Sequence, residues 1–108
     1  MVEVFEFGGL SFEWDRRKAE SNLVKHGVAF QDAATSFADA HATVVPDPRH
    51  SGMEERWHQV ALSGARQLLL TGYTHRDPRI RIISARPATR RERHDYLEGQ
   101  PRRRRRHP

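Results

Sequence analysis

The chain has 108 residues, 36% hydrophobic and 31% charged, which suits one domain with a modest core. No apolar run approaches the ~20 residues of a membrane span, and the absence of cysteine excludes disulfides and thiolate metal sites. The formal charge of +5 is uneven: residues 1–54 carry five Lys/Arg against nine Asp/Glu, residues 55–108 fourteen against five, and Arg102 to Arg106 account for five of those fourteen.

Without that arginine run the second half is still basic. Such a surface draws phosphate backbones, although it equally serves as plain solvated surface. Met1-Val2-Glu3-Val4-Phe5-Glu6 has neither the basic start nor the long apolar core of a signal peptide, so a cytoplasmic protein is expected.

Taken in order, Val2–Phe7 alternates weakly as a short strand, with Gly8-Gly9 as a turn. Ser11-Phe12-Glu13-Trp14 reads as its partner or as an extended lead-in. Asp15 is placed as an N-cap for a helix over about Arg16–Lys25, with Ala19, Leu23 and Val24 on its apolar side and Gly27 at its stop. Phe30, Ala33, Ala34 and Phe37 follow at helical spacing and predict a second, shorter helix packed on the first. Ala42-Thr43-Val44-Val45 reads as a strand ended by Pro46-Asp47-Pro48, and residues 46–53 as a loop. Strands are then expected over about 55–63, 67–75 and 79–86, joined by Ser63-Gly64-Ala65-Arg66 and Arg76-Asp77-Pro78. The second of these is apolar on both parities and belongs in the middle of the sheet. Thr89 and Glu92 have capping-box spacing for a last helix, Arg90 to about Glu98, stopped by Gly99.

The predicted fold class is α+β: a small antiparallel sheet with two N-terminal helices and a C-terminal helix, the helices on one face. Residues 1–99 form one domain, and residues 100–108 a flexible basic tail.

The chain has no Gly-rich phosphate loop, no H-E-x-x-H and no G-x-S-x-G. Its histidines (His26, His41, His50, His58, His75, His94, His107) show no metal-ligand spacing, so neither a metal site nor a cofactor is expected. In the 79–86 strand a pleat that is regular to its end sets Arg81 and Arg86 on opposite faces, a constraint that Arg86 can escape where the strand meets the helix. Guanidinium groups clamp phosphate bidentately, but their stems also cover apolar edges. Arg90, Arg91 and Arg93 sit in the early turns of a helix, where cations oppose the helix dipole at ~0.3–1 kcal/mol each. An acidic partner or a polyanion would compensate. Glu54, Glu55, Arg56 and His58 flank the 46–53 loop, and Lys25-His26 ends the first helix.

Phe12-Glu13-Trp14-Asp15, Asn22, Lys25-His26-Gly27-Val28, Phe30, Ala33 and Phe37-Ala38-Asp39 resemble the opening of the BrnT family. Glu55-Arg56-Trp57, Arg81-Ile82-Ile83-Ser84-Ala85-Arg86, Ala88-Thr89, Arg91-Glu92-Arg93 and Tyr96 extend the resemblance over roughly residues 12–97. The first ten residues and the arginine run fall outside it. The resemblance implies a RelE-like toxin of a type II toxin–antitoxin system, a ribonuclease that inhibits translation. It also implies a BrnA-like antitoxin partner with a ribbon-helix-helix DNA-binding part, through which DNA is reached only indirectly.

Metal-independent RNA cleavage needs a base for the ribose 2′-hydroxyl, cations for the charge growing on phosphate, and an acid for the leaving oxygen. Glu55 and His75 are the carboxylate and imidazole candidates, with Arg81 and Arg86 as charge stabilisers. Lys25, His26, Arg56, Arg90, Arg91 and Arg93 are candidate RNA contacts. Trp57 and Tyr73 would stack a base if they are not simply core. The alternative is a non-catalytic module, or a degenerate toxin, that binds nucleic acid or antitoxin without cleaving.

Overall fold

The computed structural model describes residues 1–47, 49 and 54–100. Pro48, His50, residues 51–53 and the expected basic tail beyond Gln100 lie outside the described residues.

The chain opens with an antiparallel hairpin of β1 (Val2–Phe7) and β2 (Leu10–Asp15), turned by Gly8 and Gly9 at φ of 60° and 80°. Alternation turns Phe12 and Trp14 into the core and leaves Val2 and Val4 exposed. Asp15 then caps α1 (Arg16–His26), accepting from the N–H groups of Arg17 and Lys18 at 2.8 and 3.1 Å. Gly27, at φ 70°, stops it by donating to the Leu23 carbonyl.

The buried stripe of α1 differs from the expected one. Val24 is 89% exposed and Leu23 half exposed, whereas Asn22 is buried. The Asn22 amide nitrogen donates to the carbonyls of Val28 and Ala85 at 3.0 and 2.8 Å, and its carbonyl accepts from the Ala85 N–H at 3.1 Å.

The second helical segment is also shorter than its apolar spacing predicts. It comprises α2 (Phe30–Thr35), which has no side-chain N-cap, and a 3-10 turn over Ser36–Ala38. The Ser36 hydroxyl donates to the Ala33 carbonyl inside the segment.

β3 (Thr43–Pro46), β4 (Arg56–Leu62), β5 (Leu68–Arg76) and β6 (Arg79–Pro87) form an antiparallel meander, and α3 (Arg90–Glu98) follows. The expectation of a small antiparallel sheet with two N-terminal helices and a C-terminal helix is overturned. The sheet has six strands in the order β1-β2-β6-β5-β4-β3 and is mixed, and strands dominate the short helices. β2 lies parallel to β6, with Phe12 opposite Ile80 and Glu13 opposite Arg81. Two strands that run the same way need a long crossover between them, and the helices supply its first leg.

Nor do the helices share one face. Phe12, Trp14, Leu69, Ile82 and Ala85 pack under Val28, Phe30, Ala33 and Ala34, which sets α1 and α2 on one side. α3 lies against the other, where Thr43, Val45, Val60 and Leu70 line a cavity with its Glu92, Asp95 and Tyr96.

The remaining irregularity is in β6. Tyr73 pairs with Ile82 and Gly72 with Ser84, so Ile83 is an extra residue bulged out of the ladder. A bulge restarts the alternation, and Ile82 and Ala85 therefore both enter the core.

Candidate functional site

On the sheet face opposite α1 and α2 lies an open cleft of about 390 Å³. Its floor is the centre of the sheet: Arg56 and His58 of β4, Gly72 of β5, and Ile83, Ser84 and Arg86 of β6. Asp47 and Arg49 close one end, and Trp57 and Tyr73 contribute from the strands. A Cβ on Gly72 would stand 2.7 Å from the Ser84 hydroxyl and 3.8 Å from Cδ2 of the His58 ring. The bare glycine keeps the floor open between those two side chains.

Arg86 reaches the cleft because of the Ile83 bulge, which puts it on the same face as Arg81, contrary to a regular pleat. Its guanidinium is held by Glu92 in a two-pronged pair, Nη1 to Oε1 at 2.8 Å and Nη2 to Oε2 at 2.9 Å. The hydrogen bond to Glu92 raises Arg86 above its ordinary value, and the same bond holds Glu92 below the usual carboxylate range against the opposing effect of burial. Glu92 also completes the capping box of α3, accepting from the Thr89 N–H at 2.9 Å while its own N–H donates to the Thr89 hydroxyl. One carboxylate thus offsets the cations at the helix start and fixes the arginine beside it.

His58 is placed by Asp47, whose Oδ2 lies 3.2 Å from Nε2 of the ring. Asp47 is buried and follows directly on β3. Its N–H donates to the Arg56 carbonyl at 2.9 Å, and its Oδ1 accepts from the Arg49 N–H at 3.0 Å. Arg56 Nε sits 3.6 Å from Glu54, which is bound more closely by Arg76 at 3.0 Å. The hydrogen bond from Arg76 is the largest cause of the lowered pKa of Glu54.

The structure divides the residues singled out in the sequence. Arg56 and Arg86 meet in the cleft. Glu55 and His75 are exposed and share a separate depression with Glu54, Trp57 and Thr74. By the parity of Glu55, Trp57 and His75 that depression belongs to the side of the sheet that carries α1 and α2. Arg81 is committed to Glu13 at 2.7 Å and is not among the residues that line this cleft. Lys25 and His26 end α1, on the side of the sheet opposite the cleft. Arg90, Arg91 and Arg93 are exposed on α3, and Arg91 makes only a loose 3.6 Å pair with Asp95. Trp57 is half-buried, and Tyr73 is core, edge-on to Phe37 and His75.

Asp47 and Ser84 were not marked out by the sequence, and His58 appeared only as a flanking residue. The signal available for His58 was its spacing from Arg56, two residues along one strand and hence one face. Among the described residues, no group of three or more His, Cys, Asp or Glu side chains is gathered as a metal would require. The cleft therefore offers an oriented imidazole, a hydroxyl and guanidinium groups around a space open to a chain-like anion.

Residues 14–92 match the model of a family described as the ribonuclease toxin, BrnT, of type II toxin–antitoxin systems. The matched span begins near the end of β2 and stops in the first turn of α3, so it contains every residue lining the cleft and omits β1. Among curated proteins, none matches the chain.

Proposed function

The chain belongs to the BrnT family of ribonuclease toxins from type II toxin–antitoxin systems, and on that premise we propose that it is a metal-independent endoribonuclease that inhibits translation by cutting RNA. The observation that supports this reading is the open cleft carrying Arg49, Arg56 and Arg86 beside His58. Cations fixed where charge grows on a phosphate are the largest single contribution that such a site makes to catalysis. Arg86 and Arg56 serve as the phosphate contacts. Glu55 and His75, on the depression beyond Trp57, and the exposed Arg90, Arg91 and Arg93 serve neighbouring nucleotides. Residues 1–99 act as one toxin domain in the cytoplasm.

An antitoxin partner follows from the family. In this reading it is BrnA-like, a ribbon-helix-helix protein that carries the DNA-binding function of the complex. The direct test is incubation of the purified chain with mRNA in EDTA, together with controlled expression in cells. Cleavage and growth arrest are expected. Intact RNA and unimpaired growth would sink the reading.

A second reading, a module that binds without cleaving, draws on the internal neutralisation of Arg81 by Glu13 and of Arg86 by Glu92. Substituting Arg81 and Arg86 separates the two. Loss of cleavage with RNA binding retained supports the enzyme, whereas loss of binding in a protein that never cleaves supports the module.

A further inference from the structure

We propose that His58 is the catalytic base of the cleft and that Asp47 is its positioning residue; the assignment rests on the ribonuclease reading and names the group that activates the 2′-hydroxyl. Glu55 and His75, the acid–base candidates suggested by the sequence, stand apart from the paired arginine of the cleft. His58 stands beside it. Its ring lies over Gly72, with the Ser84 hydroxyl on the far side of that glycine and Arg56 two residues away on the same face of β4.

The orientation of the ring follows from its partner. Asp47 is only 8% exposed, and two backbone hydrogen bonds tie it to Arg56 and Arg49. A buried carboxylate 3.2 Å from Nε2 selects the tautomer with its proton on Nε2. Nδ1 is then the proton acceptor, and it has no hydrogen-bond partner among the described residues. A carboxylate that fixes the tautomer and steadies the imidazolium formed later is the arrangement that acid–base histidines need.

The step balances without a further reagent. His58 Nδ1 takes the proton of a ribose 2′-hydroxyl, and the 2′-oxygen forms a bond to the adjacent phosphorus as the bond from phosphorus to O5′ breaks. O5′ takes a proton from water, and the resulting hydroxide takes the proton from His58. Arg86 and Arg56 face the phosphoryl oxygens. The products are a 2′,3′-cyclic phosphate and a 5′-hydroxyl end.

The test uses the full chain and a defined RNA oligonucleotide in EDTA. His58→Ala is expected to lower kcat by ~10²–10⁴-fold, the usual worth of a general base, with RNA affinity within a few-fold of wild type. Added imidazole restores part of the lost rate, and wild-type products carry cyclic phosphate ends. Asp47→Asn lowers kcat and leaves KM unchanged. His58→Gln, which keeps polarity but not basicity, guards against misfolding and is expected to be as slow as His58→Ala. A wild-type rate in either His58 variant overturns the assignment. If those variants cleave normally while Arg56→Ala and Arg86→Ala do not, the ribonuclease reading survives and the base assignment alone fails. If the wild-type chain leaves RNA intact, both fall together.

Discussion

Arg86 is the residue whose surroundings diverge most from a linear reading of the chain. A regular strand puts it opposite Arg81, and only the extra residue at Ile83 brings it to the cleft. Nothing local in Arg81-Ile82-Ile83-Ser84-Ala85-Arg86 announces a bulge, because the irregularity arises from pairing with Gly72 and Tyr73 of another strand. What the sequence did mark was the chemistry: the guanidinium was singled out and so was its partner Glu92, the latter as a cap. The double duty of Glu92 leads to a prediction. Glu92→Gln keeps the capping box, since glutamine serves there too, but frees the charge of Arg86. RNA affinity at low salt should rise several-fold, measured by fluorescence anisotropy. Glu92→Ala also loses the cap and should melt at lower temperature, at a cost of about 1 kcal/mol. Gly72 offers a second residue-level test. A valine there suits a strand but fills the floor between Ser84 and His58. Gly72→Val should lower cleavage at least tenfold while circular dichroism stays that of wild type.

Among the elements, α1 has the ends its local chemistry predicts but only part of the buried stripe its apolar residues predict. Asp15 and Gly27 mark its ends by local chemistry, and those ends are where they were expected. Of its apolar residues Ala19 packs against the core, but Leu23 is half exposed and Val24 faces solvent, and the buried position belongs to Asn22. β2 turns away into α1 after Asp15, so the stretch of β6 around Ala85 has no strand beside it on that flank. The Asn22 amide fills the gap, accepting from the Ala85 N–H and donating to its C=O as a neighbouring strand would. Asn22→Ala leaves three buried backbone groups unpaired, the Ala85 N–H and C=O and the Val28 C=O. It should cost about 3 kcal/mol in urea unfolding, at the rate of ~1–3 kcal/mol per orphaned group. Because β6 carries Ser84 and Arg86, activity should fall before the global melt. Leu23→Ala, one residue along and half exposed, should change stability by less than ~1 kcal/mol.

At the scale of the molecule, the strands of the meander were legible from apolar runs and turn residues, but the mixed sheet was not. The pairing of Phe12 with Ile80 and of Glu13 with Arg81 joins the two ends of the chain, and no short window contains both. The tertiary hydrogen bonds also set the pH limits of the fold. Burial pulls Asp39 upward, but donors from the Leu62 N–H, the Tyr96 hydroxyl and the His41 N–H together hold it below its ordinary value of 3.8. Glu92 lies below 4.5, chiefly through Arg86. Groups lowered on folding stabilise the protein above their ordinary values and lose that contribution as pH falls through their folded values. The melting temperature should therefore hold through neutrality and drop once pH passes below about 4.5. Tyr96 moves the other way, pushed up to about 12 by burial and then by its 2.5 Å hydrogen bond to Asp39. Its contribution is complete below pH 10.0 and disappears toward 12. Tyr96→Phe should flatten that alkaline limb in thermal melts across pH.

The parallel contact of β2 with β6 also bears on when, during synthesis, the cleft is assembled. Synthesis proceeds from the N-terminus, and the hairpin and α1 can form as they emerge. The strand that joins them to the meander is the last to be made, and it brings Ser84 and Arg86 with it. A nascent chain stalled before residue 79 thus holds β4 and β5 but only half of a cleft. The cleft is therefore whole only once β6 has left the ribosome and paired with both β2 and β5.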